Sequence, residues 1–219
     1  ISGQGRKHDM IDPHNRRGVM LVFCAPSGAG KTTITRQLLE KDDKISLSVS
    51  ATTRAARPGE EEGTHYFFKS VDEFKHMIAD DELLEWAEVF GNYYGTPVAP
   101  VEKALSEGHD VLFDIDWQGA RQLRDKGGAD VVSVFILPPS SGELERRLRD
   151  RGQDADDVIM KRMAKAGAEI SHWEEFDYVL INDDLERCLA DVQHIIGAER
   201  MKRTRQSGLP GFVKKLLTD

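Results

Sequence analysis

The apolar positions of this chain fall into short continuous runs separated by segments of helical period. Val19-Met20-Leu21-Val22-Phe23-Cys24, Val111-Leu112-Phe113 within the stretch from Asp110 to Asp116, and Val131-Val132-Ser133-Val134-Phe135-Ile136-Leu137 are runs of this kind. Near-continuous apolar runs of this length read as parallel strands buried on both faces. Tyr178-Val179-Leu180-Ile181 reads as a last short strand. Helices are expected over Thr33–Glu40, from Val98 to Glu107 with Gly108 as C-terminal cap, and over Glu143–Arg151. A long helix capped by Asp154 is expected to run to Glu175, and another to follow Asn182-Asp183-Asp184. Strand and helix alternate, which predicts an α/β domain with a parallel sheet flanked by helices.

Residues 48–97 break that rhythm. Ile45-Ser46-Leu47-Ser48-Val49-Ser50 alternates apolar and small polar residues, and His65-Tyr66-Phe67-Phe68 and Leu83–Phe90 are further short strands. Gly91-Asn92 is expected to turn a hairpin into Tyr93–Pro97. One helix lies between them, opened by Ser70 with Glu73 three residues on and showing Phe74, Met77 and Ile78 on one face. The pattern predicts a small mixed α+β lobe inserted into the parallel domain. The tail from Lys202 to Pro210 is basic and broken, with room for a turn of helix over Phe212–Leu217.

The stretch with the sharpest chemistry is Ala25-Pro26-Ser27-Gly28-Ala29-Gly30-Lys31-Thr32, set between an apolar strand and a helix. Strand, Gly-rich loop, Gly-Lys-Thr and helix is the context of a P-loop. Loop N–H groups and the helix N-terminus would face phosphates, Lys31 would reach the β- and γ-phosphates, and Thr32 would offer a hydroxyl to Mg²⁺. Ala25 stands where the general pattern has its first Gly, which requires negative φ there.

Other candidates are individually ordinary. Arg54 and Arg57 lie in a loop after a strand, where two guanidinium forks could clamp a phosphate or simply be solvated. Tyr66 and Tyr94 could donate to the same phosphate or pack. Glu85 and Asp116 are carboxylates that only accept hydrogen bonds; facing the donor edge of guanine they would select it over adenine, with Ser50 or Thr96 meeting its O6. Asp114, two residues before Asp116 and so on the same strand face, suits a Mg²⁺ role, directly or through water, as well as it suits a salt bridge. Arg147 and Arg151 share a helix face and Arg162 follows on the next helix, an arrangement open to phosphoryl-transfer chemistry or to a solvated surface. The Gly- and charge-rich segment carrying them looks like a lid.

Composition narrows this further. Of 219 residues 39% are hydrophobic and 31% charged, enough for a core, and the net charge of −8 gives no general attraction to nucleic acid or membrane. Anionic ligands must therefore meet local clusters of Arg and Lys. Cys24 and Cys188 have no metal-ligand spacing and read as buried thiols in a reducing cytosol. Arg16-Arg17 before apolar residues is similar to a twin-arginine export signal, but the apolar run ends at once in the Gly-rich loop. Residues 1–17 are expected to be a disordered N-terminal segment. The sequence leaves homo-oligomerisation open.

Taken together, the loop words, Ser48-Val49-Ser50-Ala51-Thr52-Thr53-Arg54 with Arg57-Pro58-Gly59-Glu60, His65–Phe68, Glu85-Trp86-Ala87, Gly91-Asn92-Tyr93-Tyr94-Gly95-Thr96, Asp114–Gly119, Arg147–Gly152 and Ile181–Asp184 closely resemble the bacterial guanylate kinase family. The resemblance runs from Gly18 into the C-terminal tail, and Ala25 looks normal for those relatives. It implies an ATP:GMP phosphotransferase using Mg²⁺ in the cytoplasm, with a core (18–47, 98–138 and 176–219), a GMP-binding lobe (48–97) and a helical lid (139–175). It implies that Arg54, Arg57, Tyr66 and Tyr94 take the GMP phosphate and that Ser50, Glu85, Thr96 and Asp116 take the base. ATP would meet Ala25–Thr32, Arg147, Arg151 and Asn182; Lys31, Arg54, Arg147 and Arg162 would act in catalysis; Thr32 and Asp114 would serve the metal. Two other readings are a non-catalytic guanylate-kinase-like interaction module, which typically loses the P-loop kept here, and a kinase for another nucleoside monophosphate, against which Glu85 and Asp116 argue.

Overall fold

The computed structural model describes residues 12–151 and 155–218, with Arg151 described in its backbone only. Five strands form a parallel sheet: β1 (Met20–Cys24), β2 (Ile45–Leu47), β7 (Asp110–Phe113), β8 (Val131–Leu137) and β9 (Tyr178–Ile181), in the order β2-β7-β1-β8-β9. β1 lies in the middle, paired in parallel with β7 on one side and β8 on the other. All five of its residues are buried. Alternate residues of β1 feed two cores, as the period of two demands. Leu21 and Phe23 pack with Ile34, Leu38, Leu189 and Val192 of α1 (Lys31–Lys41) and α7 (Leu185–Met201). Met20 and Val22 pack with Leu105, Ala120 and Leu123 of α3 (Val98–Ser106) and α4 (Trp117–Gly127).

A second sheet is built from β3 (Ala51–Thr52), β4 (Phe67–Phe68), β5 (Leu83–Val89) and β6 (Asn92–Pro97), ordered β4-β3-β6-β5. It has its own cluster of Ala51, Phe74 and Leu83, with Phe74 supplied by α2 (Val71–Ala79). The capping box expected at α2 is present, Ser70 and Glu73 each accepting from the other's backbone N–H. A third cluster, Leu144, Leu148, Ile159 and Ala166, joins α5 (Ser141–Arg151) to α6 (Asp156–Ile170). The C-terminal α8 covers Leu209–Leu216. None of the helices among the described residues is long and apolar enough to cross a membrane.

Several expected boundaries move. The strand expected over 45–50 stops at Leu47. The one expected over 110–116 stops at Phe113, so Asp114 and Asp116 lie beyond the ladder and share no strand face. The hairpin turns on Phe90 and Gly91, not Gly91 and Asn92: their φ values of 50° and 76° give the doubly positive turn that a two-residue hairpin requires, and Val89 pairs with Asn92. The long helix ends at Ile170 and a separate 3₁₀ turn spans Trp173–Glu175; Asp154, its expected cap, lies outside the described residues. Residues 12–17, expected to carry no structure, are tied down. Arg16 forks onto Asp110, which is fully buried and also meets Arg200, while Arg17 binds Glu102 and Asp130. A buried carboxylate needs such partners to stay charged. This ionic knot sits where β7 begins, and Asp114 follows the strand's other end.

Candidate active site

The Gly-rich loop leaves β1 at the carboxyl edge of the parallel sheet, where open α/β sheets bind ligands. Gly28 and Gly30 hold φ of 96° and 99°, a region that side chains resist, and Ala25 is not among the positive-φ residues. Space gives both glycines a second reason. A Cβ on Gly28 would lie 3.0 Å from Leu144 Cδ1 of α5, and one on Gly30 would lie 2.3 Å from Asn182 Nδ2. Asn182, buried just after β9, donates Nδ2–H to the Ala29 carbonyl at 2.7 Å. It thus braces the loop from beneath.

Two cavities flank the loop. One of about 210 Å³ is lined by Ala25, Lys31, Asp114, Asp116, Trp117 and Glu169, among others. The other, about 340 Å³, is lined by Gly28, Gly30, Thr33, Arg147, Asp150, Asn182 and Leu185. Lys31 Nζ is ion-paired with Asp114 Oδ1, and Thr32 is exposed in the first turn of α1. Arg147 of α5 bonds Glu143 at 2.8 Å and the Asn182 carbonyl at 3.3 Å, so it reaches the loop's side of the second cavity. Arg162 is exposed on α6. The Arg151 side chain lies outside the described residues.

The second sheet contributes two groups. Arg54 donates to both Glu60 oxygens at 2.8 and 3.0 Å, lies 5.3 Å from the Tyr66 ring centroid and interacts with the Tyr94 hydroxyl. Tyr66 and Tyr94 meet edge to face at 6.2 Å. Glu60 also accepts from the Arg57 backbone N–H, which closes the turn and presents the exposed Arg57 side chain beside Arg54 in sequence. The Arg54 guanidinium holds Glu60 below the usual carboxylate range. Arg54, Tyr66 and Tyr94 therefore come together as a cationic, phenol-lined cluster. Glu60 is the member that composition and spacing gave no reason to single out.

Glu85 is 7% exposed, and the fully buried Thr96 hydroxyl donates to its Oε1 at 2.7 Å. Burial pushes its carboxyl up, the Thr96 bond opposes that, and the nearby Asp116 charge adds to the rise. Thr96 thus spends its proton on Glu85 and acts as a support for it. Asp116 is exposed and caps α4, accepting from Gly119 N–H at 2.9 Å. That helix start lies against Glu85: a Cβ on Gly119 would sit 3.4 Å from Glu85 Oε2. Gln122 of α4 fixes the register by exchanging bonds with the Trp86 backbone at 3.1 and 3.0 Å. Ser50 is half-buried just before β3, its carbonyl accepting from Phe67 N–H. Gly119 and Gln122 act across elements remote in sequence, so no local signal marks them.

The parallel sheet, the Gly-rich loop leading into Lys31, and Arg147 beside it define a nucleotide-binding α/β protein. Comparison with known proteins is specific. A family model described as guanylate kinase matches residues 17–199. A guanylate kinase from Sphingopyxis alaskensis is 62% identical over 203 residues, covering 93% of this chain and 92% of that protein. One from Rhizobium meliloti is 59% identical over 204 residues, with 93% of each covered. The crystal structure of guanylate kinase from Anaplasma phagocytophilum superposes with a TM-score of 0.68 at 40% identity, covering 91% of this chain and 95% of that one. The chain belongs to the guanylate kinase family.

Proposed function

We propose that this chain transfers the γ-phosphoryl group of ATP to GMP, giving ADP and GDP. The observation that carries the reading is the buried Glu85, held by Thr96 and set against the α4 start that Asp116 caps. Guanine offers N1–H and an amino group, and two acceptor-only carboxylates suit that edge and leave adenine badly paired. Ser50 and Thr96 complete the base site, the Thr96 oxygen still able to accept a hydrogen bond while its proton goes to Glu85. Arg54, Arg57, Tyr66 and Tyr94 take the GMP phosphate, so the lobe 48–97 is the acceptor side. The loop Ala25–Thr32 takes the phosphates of ATP as a P-loop, with Asn182 bracing it and Arg147 and Arg151 on the donor side. The segment 139–175 acts as a lid, and the remaining stretches form the core.

A GMP phosphate oxygen is already anionic near neutral pH, so no general base is needed. The protein's task is to align two polyanions and neutralise the charge between them. Lys31, Arg54, Arg147 and Arg162 supply that charge, and closure around the pair excludes water as a competing acceptor. The Thr32 hydroxyl and Asp114 carboxylate are hard oxygen donors, and too few to cage an ion alone. That set fits Mg²⁺, which keeps phosphate and water oxygens and would arrive with ATP. It would neutralise charge between the phosphates. Cys24 and Cys188 are buried free thiols, pushed up to about 12 and about 11 by burial, so they stay protonated and take no part in the transfer.

An assay coupled to ADP formation, with GMP, AMP, CMP and UMP as acceptors, tests the proposal. GMP should be strongly preferred; equal rates with AMP, or no ADP with GMP, would refute it. The Glu60 contact gives a narrower expectation. Glu60→Gln removes the charge that orients Arg54 over Tyr66 and should raise KM for GMP about tenfold. KM for ATP should stay within about twofold, a charged hydrogen bond having been weakened on the acceptor side alone. Steady-state kinetics with each substrate varied would show whether the loss falls on GMP.

A further inference from the structure

Glu169, near the end of α6, has no part in the reading above, yet its carboxylate reaches the Gly-rich loop. Oε2 accepts from the Ser27 backbone N–H at 3.3 Å, and the side chain lines the same cavity as Lys31, Asp114 and Asp116. Two residues on, the Ala29 N–H stays within the loop and donates to the Pro26 carbonyl, whereas Ser27 donates outward to the carboxylate. An amide at such a loop is a group that a phosphate oxygen would take. On the same helix Lys165 Nζ, mostly exposed, lies 3.8 Å from Glu169 Oε1. Glu169 therefore brings a negative charge into a cavity that, on the proposed function, must take phosphates.

We infer that Glu169 is an internal anion that holds the Ser27 amide and must yield it to a phosphate of ATP. This rests on the reading of the loop as the ATP cradle. The displaced group is set by how each carboxylate is tethered. Glu60 is tied within one short turn to both Arg54 and the Arg57 backbone, so it moves with the residues it holds. Glu169 comes from a helix that packs with α5 in a cluster of its own, Leu144, Leu148, Ile159 and Ala166. Leu144 of that cluster lies against Gly28. Releasing Ser27 therefore detaches one of the points at which the α5–α6 pair leans on the loop. Entry of ATP and movement of α6 become one event, and the affinity for ATP is lowered by the fraction of molecules in which Glu169 occupies the amide.

The test is calorimetric titration of ATP, without GMP, into the unmutated chain, Glu169→Gln and Glu169→Ala. Glu169→Ala should bind ATP about threefold to tenfold more tightly, and Glu169→Gln, whose amide oxygen can still accept from Ser27, more tightly by a smaller factor, with GMP affinity changed by less than about twofold in both. A role confined to packing would weaken both ligands or neither. ATP affinity unchanged or weaker in the folded variants overturns the inference while leaving the loop's function intact. Failure of the unmutated chain to bind ATP overturns the reading of the loop itself. A measurement that needs no variant is the side-chain carboxyl resonance of Glu169, which should move with the Ser27 amide resonance as ATP is added. A carboxyl resonance unmoved at saturating ATP overturns the inference.

Discussion

Lys31→Met should lower kcat by about 10²- to 10³-fold, the usual loss when one preorganised charge on a transition state is removed. GMP affinity should hold within about twofold, because Lys31 opens α1 at the end of the Gly-rich loop, whereas Glu85 lies on β5 and Arg54 and Tyr66 flank β3 and β4 of the second sheet. The substitution keeps length and apolar stem and removes only the ammonium. It also breaks the Lys31–Asp114 pair. That pair is partly exposed, so its loss should cost little stability, within about 1 kcal/mol. Turnover and GMP titration on a variant with unchanged melting temperature would isolate the effect. Turnover near that of the unmutated chain would remove Lys31 from the reaction.

Glu85→Gln should move function and stability in opposite directions. One carboxylate acceptor lost from the guanine edge should raise KM for GMP by about 10- to 100-fold, since hydrogen bonds to a charged partner contribute about 1.5–3 kcal/mol. The amide also offers a donor where guanine offers one. Stability follows from the direction of the carboxyl shift. Burial raises the folded-state value of Glu85 above its ordinary 4.5, so folding favours the protonated form. That preference is fully present below the unfolded value and is lost as pH rises through the folded one. Burial makes the charged carboxyl costly, and glutamine removes that cost while its Oε1 still accepts from Thr96. The gain should read as a rise in Tm, at about 2–4 °C for each kcal/mol in a chain of this size. Melts at pH 7 and near pH 4 should show the gain at the first and its disappearance at the second. A variant less stable at pH 7 would mean that Glu85 is not ionised at a cost.

Local order was largely legible in the residues. β1 and β8 are apolar runs of the right length, and Ser70 with Glu73 marks the start of α2 by chemistry confined to one turn. The loop carries its own conformational demand at Gly28 and Gly30. Strand ends were less legible, because an apolar run says how far a segment is buried and not where its ladder ends. Asp114 and Asp116 continue such a run but leave the sheet, the second drawn off to cap α4. The supports of the site were least legible. Glu60, Gln122 and Glu169 act through a turn or across elements distant in sequence, and nothing local to Thr96 shows that its hydroxyl proton is committed to Glu85.

Three groups proposed to meet ATP are already matched by carboxylates of the chain: Lys31 by Asp114, Arg147 by Glu143 and the Ser27 amide by Glu169. A bare ring of cations would gather dissolved counterions, shed them when ATP arrived, and lose affinity steeply as ionic strength rose. Here an incoming phosphate exchanges with anions that never leave the molecule. ATP affinity should consequently fall by less than about threefold between 50 and 200 mM KCl, far short of the dependence that released ions impose. The chain carries its own electrolyte.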